Sequence, residues 1–222
     1  GAVAAALPAV PLPEQHSRNN QLLYAAALQI EPAIRQAIAQ YGGHRVAVIL
    51  GTSTSGIAEG SAAIGQFMNS GQFPADYHYA QQALSAPADF LADWLQLSGP
   101  AYVISTACPP SARALLSARR LLQLGVCDAV LCGGVDSLCS LTLNGFSALE
   151  AVSEQRCNPF SANRDGINIG EAAALFLMTR QRNAQGRTLA LLGAGASSDA
   201  HHLSAPDPTG AGAVRCMGNA LD

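Results

Sequence analysis

From residue 17 to residue 40, SRNNQLLYAAALQIEPAIRQAIAQ, apolar side chains return every three or four positions: Leu22, Leu23, Ala26, Ala27, Ile30, Ile34 and Ile38. That period predicts a helix, with one break near Pro32 and an end at the following Tyr-Gly-Gly. The pattern then changes to short apolar runs that empty into glycine and hydroxyl residues. HRVAVILGTSTSG (44–56) reads as a buried strand entering a loop, AYVIST (101–106) as a second strand and CDAVLCGGVDS (127–137) as a third. Between them, residues 84–98 predict a short helix opened near Pro87 and closed by Ser-Gly-Pro. Residues 111–124 predict another, whose Ala114, Leu115, Ala118, Leu121 and Leu122 face away from Arg113, Arg120 and Gln123. Two further apolar runs, 171–179 and 187–198, stand either side of the polar turn RQRNAQG and predict an antiparallel pair or a crossing between two halves of the fold. Strand and helix alternate, so the class is α/β with a mixed, mostly buried sheet.

Composition narrows what such a sheet could serve. The 222 residues are 49% hydrophobic and only 12% charged, enough apolar material for one large domain or two small ones. A formal net charge of -3 without any run of lysine or arginine argues against nucleic acid or an anionic membrane as partner. The longest apolar stretches are interrupted well short of the roughly 18 to 20 residues that cross a bilayer, so a cytoplasmic location is expected. The start, GAVAAALPAVPLPEQ, has neither an initiator methionine nor the basic segment of a secretory signal and reads as a truncated or processed beginning. Six cysteines, Cys108, Cys127, Cys132, Cys139, Cys157 and Cys216, form no CxxC pair and match no zinc spacing; most read as small core residues, and no metal site is expected.

Three glycine motifs fall short of known chemistry. GTSTSG (51–56) has the outline of a phosphate loop, but Ile57 and Ala58 stand where lysine and a hydroxyl residue must follow. The same stretch misses the nucleophile-elbow pattern GxSxG because Ser55 holds its final position. GAGASS (193–198) lacks the third glycine of a dinucleotide fingerprint and reads as a tight turn. Cys108 is different. It ends a strand and precedes a helix, where unpaired N–H groups and the helix dipole favour a thiolate. Pro109 and Pro110 suit a first helical turn and push Cys108 out of the α region. Position alone leaves two readings open, a nucleophile or one more buried spacer.

STAC before a helix, then AVLCGGVDS, GFSALEAVS, NPFSANRDGINIGEAAALFLM and GAGASSDAHHLSAPDPTGAGA, in that order and spacing, resembles the β-ketoacyl-[acyl-carrier-protein] synthases of the thiolase superfamily over roughly residues 45–222. The resemblance implies a thiolase-like layered αβαβα fold with mixed sheets, of which this sequence holds the first half and the start of the second. Residues 1–186 would be the N-terminal half, without its first strand and carrying the nucleophile, and 187–222 the beginning of the C-terminal half. It implies decarboxylative Claisen condensation: a cysteine takes an acyl group from a carrier-protein thioester, and malonyl carrier protein loses CO2 to supply the attacking carbanion. Cys108 matches the acyl acceptor, and its own N–H would be one oxyanion-hole donor. Phe146 matches an aromatic gate beside the cysteine; an ordinary core phenylalanine is the competing reading. Arg164, Asp165, Gly166 and Glu171 match a segment better read as scaffold than as chemistry. Ser204 matches a hydroxyl that contacts phosphopantetheine, with Ala205 replacing a second one.

The match departs from the family in two places. None of the five histidines lies in the family's HGT or GH segments, so His201, His202 and His44 are not read as bases. Two prolines follow the cysteine where relatives have small polar residues, which leaves the first free amides of the helix at Ser111 and Ala112. The resemblance implies no cofactor bound by the chain itself, since the substrates travel on the phosphopantetheine of acyl carrier protein. That acidic protein is the expected partner, docking on Arg113, Arg119 and Arg120 unless these form only a solvated helix face. A dimer is expected across the strand AYVIST. SRNNQLLYAAALQI and LCGGVDSL further resemble the synthases of aryl polyene clusters, in which a ketosynthase pairs with a chain-length-factor subunit lacking the cysteine. Two functions therefore stand: a ketosynthase, as a homodimer or with a chain-length-factor-like subunit, or a non-catalytic subunit of that kind. Cys108 favours the enzyme.

Overall fold

The computed structural model describes residues 1–180, 189–202 and 205–221. The chain divides into two compact units, Gly1–Arg180 and Gln181–Asp222. In the first unit the predicted opening helix is two helices, α1 (Arg18–Gln29) and α2 (Glu31–Tyr41). The Ser17 side chain caps α1 by accepting from the Asn20 amide. The break falls at Ile30, just ahead of Pro32, because a proline is accommodated in the first turn of a new helix and not in the middle of an old one.

Four strands follow, β1 (Val46–Gly51), β2 (Ala101–Ile104), β3 (Ala129–Asp136) and β4 (Ala172–Thr179). The sheet order is β2-β1-β3-β4, with β1 parallel to both neighbours and β4 antiparallel to β3. The antiparallel partner of β4 is therefore β3, and the second predicted run, 187–198, is described from residue 189. That second run contains no strand over its described part, and Leu189 and Leu192 are exposed. An apolar run becomes a strand only where another edge offers hydrogen bonds, and among the described residues after Arg180 there is no second strand to supply one.

The two sheet faces carry different cores. Val48, Leu50, Leu131 and Val135 meet Leu23 and Ile34 from α1 and α2, together with Phe90 and Leu91 of α4 (Ala86–Leu95). On the other face the alternate residues Ala47, Ile49, Val130 and Cys132 meet Ala114, Ala118 and Leu122 of α5 (Pro110–Gln123). A strand buried on both faces carries apolar residues at every position, which is why β1 and β3 read as unbroken runs. Two helices of this unit escape the apolar period: α3 (Ile57–Ser70), which includes Gly60 and Gly65, and α6 (Ser140–Ala148), which buries none of its residues. The second unit holds α7 (Ala211–Leu221) and a turn in which the Thr209 amide and hydroxyl both donate to Asp207. No described helix is long and apolar enough to cross a membrane.

Candidate active site

The first turn of α5 is seated on glycine. Gly51, the last residue of β1, and Gly134, two residues short of the end of β3, are register partners. A Cβ on Gly51 would lie 2.3 Å from the Ser111 amide nitrogen, and one on Gly134 only 1.9 Å from Ser111 Oγ. The missing side chains let the helix start rest directly on the two strands. Pro110 opens α5, where its missing N–H costs nothing, and the Arg113 amide donates to the Pro109 carbonyl at 3.1 Å.

Between β2 and that seat the chain must turn sharply. Ala107 takes a left-handed backbone, φ +56°, which a residue with a Cβ adopts at a cost of about 1 kcal/mol. The next residue, Cys108, is exposed. The other cysteines differ: Cys127, Cys132 and Cys139 are buried, while Cys157 and Cys216 are partly so. Burial pushes the Cys132 thiol up to about 12 and raises that of Cys127.

The loop after β1 packs beside this elbow around a single carboxylate oxygen. Asp136 Oδ1, at the end of β3, accepts from the Ser53 amide at 2.7 Å, the Thr54 amide at 3.0 Å and the Thr52 and Thr54 hydroxyls at 3.1 and 2.9 Å. Two amides of the phosphate-loop outline thus point at the protein's own acid. Ser53 Oγ donates to the Ala107 carbonyl at 2.7 Å. Neither Ser53 nor Asp136 stands out in the sequence, although a hydroxyl-rich strand end beside another strand ending in aspartate is the signal that could have found them.

Of the other predicted site residues, Phe146 is half-buried on α6, on a separate element from Cys108. The cleft of about 430 Å³ beside that helix is lined by Ala58, Ser61 and Ala62 of α3 and by Leu138, Cys139 and Leu143, with neither Cys108 nor Phe146 in its wall. Ser204 lies outside the described residues. Arg120 is exposed, and Arg113 and Arg119 are half-buried. In the RDG segment, Arg164 donates to the Ser161 carbonyl and Asp165 accepts from Ser153 Oγ at 2.7 Å, which are contacts of a scaffold. Glu171 is nearly buried and joins three segments: it pairs with Arg18 at 2.5 Å and accepts from the amides of Val3 and Leu138. The Arg18 guanidinium, with help from those amides, holds its carboxyl down to about 2.

Comparison with known proteins places this geometry among relatives. The family described as "Beta-ketoacyl synthase, N-terminal domain" matches residues 17–184. A chain of the ketosynthase (ApeO) complex with its chain length factor (ApeC) from Xenorhabdus doucetiae superposes with a TM-score of 0.92 at 48% identity, over 99% of this chain and 55% of that one. Among curated proteins, 3-oxoacyl-[acyl-carrier-protein] synthase 2 of Rhizobium meliloti is 37% identical over 138 residues, 57% of this chain and 33% of its own length. The chloroplastic 3-oxoacyl-[acyl-carrier-protein] synthase II of Arabidopsis thaliana is 36% identical over 134 residues, 55% of this chain and 25% of its own. The matches thus span about half of the solved relative and a third or less of these curated ones.

Proposed function

Because the chain belongs to the β-ketoacyl synthase family and shares its thiolase-like fold, we propose that it is the nucleophile-bearing part of a ketosynthase and that Cys108 is the residue that is acylated. Its thiolate attacks the thioester carbonyl of an acyl group carried on the phosphopantetheine of acyl carrier protein. The tetrahedral intermediate collapses by expelling the carrier thiolate, which leaves the acyl group on sulfur. Malonyl carrier protein then loses CO2, and the resulting carbanion attacks the Cys108 thioester and releases the cysteine. That second stage needs donors aimed at a developing enolate. The histidine segments that supply them in the family do not occur within these 222 residues, so this polypeptide alone is not expected to complete condensation.

One observation carries the proposal: the cysteine at the sharp strand-to-helix turn is the exposed one, whereas Cys127, Cys132 and Cys139 are buried. The half-length match to the solved relative is consistent with residues 1–186 as the N-terminal half of a thiolase-like chain and 187–222 as the start of the other. As partners we infer acyl carrier protein, docking along Arg113, Arg119 and Arg120, and a second subunit at β2. Among the described residues that strand pairs with β1 on one side only, so its outer edge is a template for association. The similarity to a chain from a ketosynthase and chain length factor complex favours a heterodimer over a homodimer. It also sustains the second reading, a non-catalytic subunit of that complex in which Cys108 carries no acyl group.

Incubating the full-length protein with an acyl carrier protein thioester, followed by peptide mass mapping, separates the two. We expect one acyl group on wild type and none on Cys108→Ala, and iodoacetamide should reach Cys108 ahead of Cys157 and Cys216. An adduct that survives in Cys108→Ala, or alkylation of Cys157 and Cys216 that spares Cys108, would overturn the nucleophile assignment.

A further inference from the structure

We infer that Ser53, held by Asp136, is a positioning residue that aims the backbone N–H of Cys108 at the oxygen of the reacting thioester; this rests on the reading of Cys108 as the acylated nucleophile. The 107–108 peptide is planar and trans, so its carbonyl oxygen and its N–H point in opposite directions and cannot be turned separately. Ser53 Oγ donates to that carbonyl at 2.7 Å. Fixing the oxygen of Ala107 therefore fixes where the N–H of Cys108 points. Among the described residues, no acceptor takes that N–H. Donation to the carbonyl also polarises the amide, which strengthens its N–H as a donor.

The hydroxyl is placed rather than free. The Ser53 amide donates to Asp136 Oδ1 at 2.7 Å, and the same oxygen holds both neighbouring threonine hydroxyls. These contacts fix the Ser53 backbone from the rear, through β3, and leave its side chain to reach across to the elbow. The left-handed turn at Ala107 explains why such a tie is needed. A residue with a Cβ held at φ +56° gains energy by relaxing, and relaxation would rotate the 107–108 peptide. Ser53 holds that peptide from the carbonyl side.

Acyl transfer and alkylation distinguish positioning from simple reactivity. Acyl transfer passes through a tetrahedral oxyanion and needs the Cys108 N–H in place. Displacement of iodide from iodoacetamide forms no oxyanion and needs only an accessible thiolate. In the full-length protein, Ser53→Ala is expected to lower the maximal rate of acyl transfer from carrier-protein thioester about tenfold, equivalent to about 1.4 kcal/mol. Its half-saturating carrier concentration should stay unchanged, and alkylation of Cys108 should remain within about twofold of wild type. Ser53→Thr, which keeps the hydroxyl, should restore most of the transfer rate. Asp136→Asn should also slow transfer, and adding it to Ser53→Ala should cost less than the two separate losses combined.

Transfer at the wild-type rate in Ser53→Ala would overturn the inference, as would equal losses in Ser53→Ala and Ser53→Thr or a parallel fall in Cys108 alkylation. New labelling of buried Cys127 or Cys132 in Ser53→Ala would mean that the loop is a folding element, and would overturn it too. Cys108→Ala, run alongside, keeps the two failures apart. If that variant still takes up acyl groups, the nucleophile reading falls and this inference with it. If Cys108→Ala is inert while Ser53→Ala transfers normally, the positioning role falls alone.

Discussion

The two strands that flank β1 each lead through a cysteine into a helix, and the two junctions come out differently. After β3, Cys139 caps α6 with extended backbone angles, φ -143° and ψ 157°. Its carbonyl takes the Leu143 amide and the Thr142 hydroxyl, its sulfur lies 3.4 Å from that hydroxyl, and the residue is 4% exposed. After β2, Ala107 turns left-handed, and Cys108 stands outside with α5 beginning two residues on. Nearness to a helix N-terminus is common to both and so does not by itself make a nucleophile. What differs is the reverse-handed residue, which turns Cys108 outward, and the glycine seat, which locks the following helix in place.

The glycine seat offers the sharpest way to break the contrast. Gly51→Ala would put a methyl 2.3 Å from the Ser111 nitrogen and 2.4 Å from the Pro110 carbonyl carbon, both backbone atoms that cannot swing aside. We expect a loss of about 3 kcal/mol or more, read by denaturant unfolding. Acyl loading of Cys108 should fall more than stability alone explains, because α5 must move away from β1. A variant with wild-type stability would show that the seat is not tight and that the elbow is set elsewhere.

The junctions also differ in how far sequence foretells them. The strand, the prolines and the amphipathic helix around Cys108 are legible because each is encoded within a few residues: an apolar run, a fixed φ, a 3.6-residue period. Pro109 restricts only Cys108, the residue before it, so the left-handed turn at Ala107 is not legible. The carboxylate that organises the site is not legible, because Asp136 and its partners Thr52, Ser53 and Thr54 meet only through the pairing of β1 with β3, more than eighty residues apart in sequence. On the other side, α6 is hidden because its leucines find no burial within the described residues and so make no stripe; Leu141 and Leu143 are exposed. The run at 187–198 misleads for the converse reason. It has a strand's composition, but the described residues after Arg180 hold no strand.

A smaller effect sharpens the comparison from the α6 side. The Leu138 amide, one residue before Cys139, donates to Glu171, which is paired with Arg18. The Glu171 carboxyl sits at about 2 against an ordinary value of 4.5. A depressed acid stabilises the fold in its charged form, so this contribution is complete above about pH 4.5 and disappears as pH falls toward 2. Arg18 is 35% exposed, and screening by solvent trims the effect to on the order of 2 kcal/mol. Unfolding at pH 6 should therefore find Glu171→Gln about 2 kcal/mol less stable than wild type, with the gap closing as the pH approaches 2. A gap independent of pH would show that the carboxyl contributes through shape rather than charge.

The smallest expected effect has the opposite sign. Gly145 lies within α6, and a Cβ added there would meet no heavy atom within 4 Å. It has no positive φ to preserve. Gly145→Ala then does only what alanine does in an open helix: it removes backbone freedom from the unfolded chain and leaves the folded contacts unchanged. The full-length protein should gain about 0.5 to 1 kcal/mol, read as a raised unfolding midpoint, and load acyl groups on Cys108 at the wild-type rate. The same Gly→Ala change is thus expected to be ruinous at the end of β1 and mildly favourable in α6. If Gly145→Ala instead destabilises the protein or slows loading, then α6 is covered by something the described residues do not include, and its exposed leucines belong to an interface rather than to solvent.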